Sequence, residues 1–448
     1  MTKPGQVRSS DTSTLVKSFI AWKLFLLAIA LGSSTTPSYD TSTSLALNLP
    51  PDHVAPSAFP ASSSSLTDIL AARLTRWDAI YFTQSASRGY VFEQEWAFGY
   101  GMPFVVSKVV LPLASRLGLP SPVTVKSAAL GAIAVSHLSH LATVLVLYSL
   151  VHRLFPDSGR LALTTGLLHV LSPAGLFLSA PYAESLFAFL SFAGYNIYVS
   201  SASVPSENPT ILRGLGLILS GALLGLATAC RTNGMLNGII FVVELFAALH
   251  VFVRSPRLTH ALAVVPPTVG GALVGLGSVV PQAAAYLRYC SDASGTGGLR
   301  PWCTKLVPSI YNFVQEHYWN TGFLRYWTPG NIPLFFLAFP MLALMFTSSY
   351  KTAVPLVPAL SSLGSTPPSN RLLLSLSLGQ GLLALLALFS YHVQISTRLA
   401  SAYPIWYVWV AQSLSSRSSG DLPRNVVMYM VLYAAIQGVL FASFLPPA

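Results

Sequence analysis

Arg76-Trp77-Asp78, followed by Glu93 and Glu95, opens the richest polar and aromatic patch of the chain. Asp78 sits between a tryptophan and Ile80-Tyr81-Phe82. An isolated carboxylate in such surroundings is costly unless it is solvated or paired. It suits a general base that takes a proton from a hydroxyl. A helix N-cap, or a partner for Arg76, is the alternative. Glu93 and Glu95 fall two apart and cannot share a helix face. At most one of them points into a site. A carboxylate pair for glycoside hydrolysis is conceivable, but hydrolases rarely need so apolar a chain.

Arg231, Arg325 and Arg398 each stand alone among apolar or aromatic residues. The planar fork of an arginine fits a phosphate, such as that of a polyprenyl phosphate. Interface anchoring is the alternative for each. Tyr318, Trp319 and Arg325-Tyr326-Trp327 suit stacking on a sugar, or else form an aromatic interfacial belt. His137 and His140 have no acidic or cysteine partner nearby, which favours core packing over a metal. Glu244 lies mid-span and is a functional candidate by position alone. No Asp-x-Asp, phosphate-binding glycine loop or dinucleotide glycine pattern is present, so a metal-bound nucleotide sugar is not the expected donor.

The elements that position these residues must cross a membrane. Of 448 residues, 53% are hydrophobic and 9% are charged, against about 25% charged in soluble proteins. Continuous apolar runs of about 17 residues or more recur, long enough for a hydrocarbon core of about 30 Å. They predict one all-α polytopic membrane domain over 1–448, with about eleven spans: 18–34, 123–152, 160–178, 183–200, 211–229, 235–253, 263–287, 331–348, 371–391, 401–415 and 425–445. The first is a signal peptide or an uncleaved anchor, with Lys23 near an end, where it can snorkel. Residues 33–66 form a Ser/Thr/Pro-rich link. Ser65 to Asp68 caps a short amphipathic helix that leads into Arg76. Residues 102–119 hold Pro103, Lys108, Pro112 and Arg116 and read as a re-entrant or interfacial helix.

With the N-terminus in the cytosol, every turn between spans on that side carries Lys or Arg, among them Arg153, Arg160, Arg213, Arg254, Arg257, Lys351, Arg371, Arg417 and Arg424. Lys3, Arg8 and Lys17 precede the first span. This distribution accounts for the net charge of +11 without nucleic acid. The opposite face collects 35–122, 179–182, 230–234, 288–330 and 392–400, and with them the acids, aromatics and isolated arginines, Asp292 included. Glu184 lies just inside that face. An enzyme working at one membrane face has this pattern; a channel or transporter would concentrate its polar residues at mid-membrane. Cys290 and Cys303 share the 288–330 loop and pair if it meets an oxidising compartment; two free thiols are the alternative.

These blocks resemble a known family, the second-mannose transferases of glycosylphosphatidylinositol (GPI) synthesis, in a fungal-like form. The first block is Arg76-Trp77-Asp78 with Gly89-Tyr90-Val91-Phe92-Glu93, Ala97-Phe98 and Pro103. The next are Ser172-Pro173 through Pro181-Tyr182-Ala183-Glu184-Ser185, and Arg231-Thr232-Asn233-Gly234. The last are His317-Tyr318-Trp319 through Gly322-Phe323-Leu324-Arg325-Tyr326-Trp327, and His392 through Arg398. Gly99-Tyr100-Gly101-Met102 departs from the second Phe and Pro of many relatives. The resemblance implies a GT-C architecture in the endoplasmic reticulum membrane, with a lumenal site. It implies inverting transfer of mannose from dolichyl-phosphate-mannose, in α1,6 linkage, to the first mannose of a glucosaminyl-phosphatidylinositol acceptor. No cofactor or metal is expected, and fungal members imply a small membrane partner. Asp78 becomes the catalytic base, with Glu93 orienting it or the acceptor. Trp77, Tyr90, Glu184, Arg231, Asn233, His317, Trp319, Arg325, Tyr326, His392 and Arg398 become substrate-binding positions. Another dolichol-linked sugar transferase, or a lipid transporter or flippase, is the rival reading.

Overall fold

The structure is a computed structural model; it describes residues 8–35, 38–49, 65–118, 123–203, 209–291, 300–416 and 420–446. Lys3, Asp292 and Arg417 lie outside these. Among the described residues there are helices and no strands. In chain order the helices used below are α1 (Ser9–Gly32), α2 (Leu66–Leu74), α3 (Ala79–Arg88), α4 (Val125–Leu154), α5 (Gly159–Val170), α6 (Glu184–Ser203) and α7 (Pro209–Cys230). They continue as α8 (Gly238–Arg254), α9 (Val265–Cys290), α10 (Ile310–His317), α11 (Ile332–Ala353), α12 (Pro368–Phe389), α13 (Pro404–Ser415) and α14 (Leu422–Ala442).

Eight helices among the described residues are long and apolar enough to cross a membrane. These are α1, α4, α7, α8, α9, α11, α12 and α14. Three expected spans are not among them. The helices at 160–178 and 401–415 shorten to α5 and α13, 12 residues each, or about 18 Å. At 183–200, α6 has 20 residues but carries serines, tyrosines and an asparagine. It is enclosed by other helices, with Phe192, Tyr195 and Tyr198 buried, so it need not match lipid. The stretch 101–116 is helical with a wide π turn at Val106–Val110, and it is not among the eight.

The chain between α5 and α6 is not a span but a buried break. Pro173 and Pro181 withhold backbone donors and disfavour helix in the residue before each. Gly175 takes a φ of +48°. Ser179, Ala180, Tyr182 and Ala183 are completely buried. Irregular backbone is tolerated at such depth only inside protein. Lys23 supplies part of the satisfaction: its Nζ donates to the Leu178 carbonyl at 3.0 Å and to Ser179 Oγ at 2.7 Å. Lys23 therefore does not snorkel. It lies on the buried stripe Leu15, Phe19, Lys23, Leu26 and Ala30 of α1, spaced three or four apart on one helix face. With Ile20, Leu24 and Phe25 exposed, α1 is an integral wall of the bundle.

Small residues set the close crossing of α7 and α9. A side chain at Gly221 would strike the backbone of Gly270, and one at Gly277 the carbonyl of Gly225. Without a hydrophobic drive between helices in lipid, such close backbone contact is the main source of attraction. Glu244, mid-helix in α8, pairs with Arg371 at 2.9 Å and Arg213 at 3.3 Å and accepts from the Tyr198 hydroxyl. It ties α6, α7, α8 and α12 together.

The cap expected at Ser65 is present. Ser65 Oγ accepts from the Asp68 amide at 3.3 Å, and Asp68 accepts from the Ser65 amide at 3.0 Å. Cys290 and Cys303 form a disulfide with Cα atoms 5.7 Å apart, which ties the end of α9 to the loop before α10.

Candidate active site

Asp78 precedes α3 at its N-cap position, yet its carboxylate makes no capping hydrogen bond. Arg76, the other expected partner, donates to Ser38 Oγ at 2.8 Å and lies over the Phe444 ring. The Asp78 carboxylate instead accepts from Arg398 Nη1 at 3.0 Å. Trp77, just before it, has a φ of +55°. That is rare for a bulky side chain and is the kind of local strain that collects at functional sites.

Arg398 is the hub. Its Nε and Nη2 donate to Glu184 Oε1 at 2.9 and 2.8 Å. Arg231 reaches the same oxygen at 2.6 Å. The Arg398 guanidinium also lies 4.7 Å from the ring centres of both Phe177 and Tyr182, a cation–π arrangement. Burial works against its charge, and Glu184 and Asp78 more than reverse this, so its pKa lies above the ordinary value. The Tyr182 hydroxyl donates to the Arg76 carbonyl at 3.0 Å, which locks the broken segment before α6 to the Arg76-Trp77-Asp78 turn. Two acids and two arginines thus form one chain, Asp78–Arg398–Glu184–Arg231, drawn from four separate loops and helix starts.

This chain borders a cavity of about 480 Å³. Of the expected site residues, Trp77, Asp78, Arg231, Asn233, Trp319, His392 and Arg398 line it. Glu184 stands behind the two arginines, only 1% exposed, and does not line the cavity. Tyr326 also lies one layer back. It donates to Gln394 at 2.7 Å and stacks on His392 with centroids 4.7 Å apart. His392 Nε2 is 3.1 Å from the Trp319 carbonyl, and burial lowers the pKa of its imidazole.

Four further expected positions do not line the cavity. Glu93 is buried, accepts from Trp302 Nε1 at 2.9 Å and Tyr318 at 3.4 Å, and has Arg300 at 3.8 Å. It anchors the 300–320 loop and does not orient Asp78. Tyr90 donates to the Gly99 carbonyl at 2.5 Å and stacks on Tyr100. A side chain at Gly99 would collide with the Cys230 carbonyl, so the unusual glycines let this turn press against α7. Between these anchors, Ala97 and Phe98 reach the cavity. His317 stacks on Phe313. Arg325 is exposed and pairs with exposed Glu316 at 2.8 Å; this guanidinium holds the Glu316 carboxyl below the usual range. Glu95 is spent on Arg88 and on the amides of Val91 and Phe92.

The cavity also takes residues with no individual signal in the sequence: Gln315, Tyr391, Thr397 and, from the apolar helix α14, Tyr433. Tyr182 and Gln394 stood inside quoted blocks, but their neighbours drew the attention. Among the described residues, no three His, Cys, Asp or Glu side chains gather as a metal site would require.

The arrangement offers an acid paired with an arginine at the wall of a small cavity, and a second arginine in the same wall. That suits removal of a proton from a hydroxyl while an anionic leaving group is held. Comparison with known proteins gives the family. The chain is 45% identical over 443 residues to GPI mannosyltransferase 2 of Gibberella zeae, covering 98% of this chain and 99% of that protein. It is 46% identical over 467 residues to GPI mannosyltransferase 2 of Chaetomium globosum, covering 99% and 98%, and 30% identical to that of Candida albicans, covering 97% and 99%. Among solved structures, the Archaeoglobus fulgidus oligosaccharyltransferase aligns at a TM-score of 0.44 and 13% identity, over 95% of this chain and 55% of that one. The family described as mannosyltransferase (PIG-V) matches residues 13–448, and the chain belongs to it: a multi-pass membrane mannosyltransferase of GPI-anchor synthesis.

Proposed function

We propose that the chain transfers mannose from dolichyl-phosphate-mannose, in α1,6 linkage and with inversion, to the first mannose of a glucosaminyl-phosphatidylinositol acceptor. The observation that carries this is the chain Asp78–Arg398–Glu184–Arg231 at the cavity wall. Asp78 takes the proton of the acceptor hydroxyl. The hydroxyl oxygen bonds to the anomeric carbon as the bond from that carbon to the phosphate oxygen breaks. The phosphate leaves with the electron pair and is held by Arg231 and Arg398. Arg325, paired on the surface, has no part in that step. Two cationic forks facing one anion supply charge stabilisation without a resident metal. Trp77, Trp319 and Asn233 surround the sugars.

We place the cavity in the lumen of the endoplasmic reticulum and the N-terminus in the cytosol. Two features support this. The basic turns lie on the side away from the cavity. The Cys290–Cys303 disulfide belongs to the segment that carries Gln315 and Trp319 into the cavity, and disulfides persist in oxidising compartments. A small membrane partner remains part of the proposal by resemblance. The assay supplies purified membranes with dolichyl-phosphate-mannose and acceptors bearing zero, one or two mannoses. Extension of the one-mannose acceptor alone is expected. Extension of either other acceptor would overturn the assignment.

A further inference from the structure

A second cavity, of about 730 Å³, opens between α9 and the segment before and into α10. It adjoins the first: Thr232, Tyr311 and Tyr391 line both. Arg231, next in sequence to Thr232, stands at the junction on the side of the first cavity. Away from the junction the walls are mostly apolar, with Ser278, Gln282, Ser309 and Asn312 also lining them. Val279, Ala283 and Leu287 face it from α9, and Val307 and Pro308 from the loop. Val279, Leu287 and Val307 are more than half exposed. An exposed apolar surface of this kind on a helix long enough to span a membrane is open to lipid.

The groove is built rather than incidental. Gln282 Oε1 bridges its walls, accepting from Ser309 Oγ at 3.2 Å and the Tyr311 amide at 3.3 Å. The Cys290–Cys303 disulfide ties the same walls near the end of α9.

We propose that this groove holds the isoprenoid chain of the polyprenyl-phosphate donor, with its phosphate at Arg231. The inference rests on the mannosyltransferase reading above. The choice between the two lipid substrates follows from their chemistry. In the donor, the first isoprene unit is bonded to the phosphate that leaves the reacting carbon. Its chain must therefore exit the cavity directly beside the phosphate-binding arginines. In the acceptor, a glucosamine ring, an inositol ring and a phosphodiester separate the reacting mannose from the acyl chains, so those chains cannot begin there.

The test compares dolichyl-phosphate-mannose with a shortened analogue carrying two isoprene units, on the full-length protein. Ala283→Trp and Val279→Trp fill the groove from exposed positions. Each is expected to lower the long-to-short ratio of kcat/KM roughly tenfold, the loss when about two methylenes lose their burial. Leu276→Trp, exposed on the same helix but outside the groove, keeps the ratio of the unsubstituted protein. An unchanged ratio for the groove variants would overturn the proposal. So would a rise confined to the acceptor KM, which would give the groove to the acyl chains. Absence of transfer from either donor by the unsubstituted protein would strike the mannosyltransferase reading instead.

Discussion

Asp78 and Arg398, 320 residues apart in sequence, are joined at 3.0 Å, and Arg398 carries the contact on to buried Glu184. Acid and arginine therefore cannot be altered independently. In the proposed reaction, the acid that takes the proton is held by the same guanidinium that faces the leaving phosphate.

Asp78→Asn keeps the shape and a hydrogen-bonding oxygen for Arg398 but removes the base. Its kcat is expected to fall about 10²–10⁴-fold, with the KM for dolichyl-phosphate-mannose little changed. Membranes from cells carrying only this variant should fail to restore GPI anchors. Full restoration would remove Asp78 as the base.

Glu184→Gln leaves Arg231 and Arg398 in the bundle without their shared counter-charge. Breaking a buried pair in this way costs about 3–5 kcal/mol. The expected result is a lower unfolding temperature in detergent together with a raised donor KM. If Glu184 instead touched substrate alone, affinity would fall at unchanged thermal stability.

Arginine replacements separate cavity from surface. Arg231→Lys keeps the charge but loses the planar fork, and is expected to raise the donor KM about tenfold, as the loss of one charge-assisted hydrogen bond predicts. Arg325→Ala should leave both kcat and KM within about twofold, because its partner Glu316 is on the surface. The reverse ranking would move the phosphate to Arg325.

His392 gives the site an acid limit. Burial lowers its folded pKa below the unfolded value of 6.5. Below about pH 6.5 the unfolded chain binds a proton that the folded site resists, so stability falls as the pH drops through that window. Unfolding temperatures measured between pH 5 and 7 should show a shallower decline for His392→Gln than for the unsubstituted protein.

Chelation provides the last test. With phosphate held by arginines, activity in purified membranes should survive excess EDTA at an undiminished rate. A loss restored by added divalent cation would show that charge stabilisation comes from elsewhere.

The helical membrane fold was legible because lipid imposes it: long apolar runs must satisfy their own backbone. The Ser65 cap was legible for the same local reason, a side chain bonding an amide three residues away. Where protein replaced lipid as the surroundings, the reading changed. The Pro-punctuated stretch 171–183 looked like the end of a span reaching 178 and a short turn at 179–182, and is a buried break. Lys23, which looked like a snorkelling charge, fills that break. Composition reports what a segment can be dissolved in, not whether its neighbours will be lipid or helices.

By itself, the sequence determined the membrane class, the blocks that resemble the family's, and Asp78, Arg231, Arg325 and Arg398 as the residues to watch. Only the tertiary structure decided which of those residues meet. It brought Arg398 to Asp78 and Glu184, left Arg325 on the surface, spent Glu93 on Trp302, and added Tyr433 from an apolar helix. The physical reason is range. Hydropathy and capping act over a few residues along the chain, whereas the ion pairs of the site are fixed by how distant helices pack.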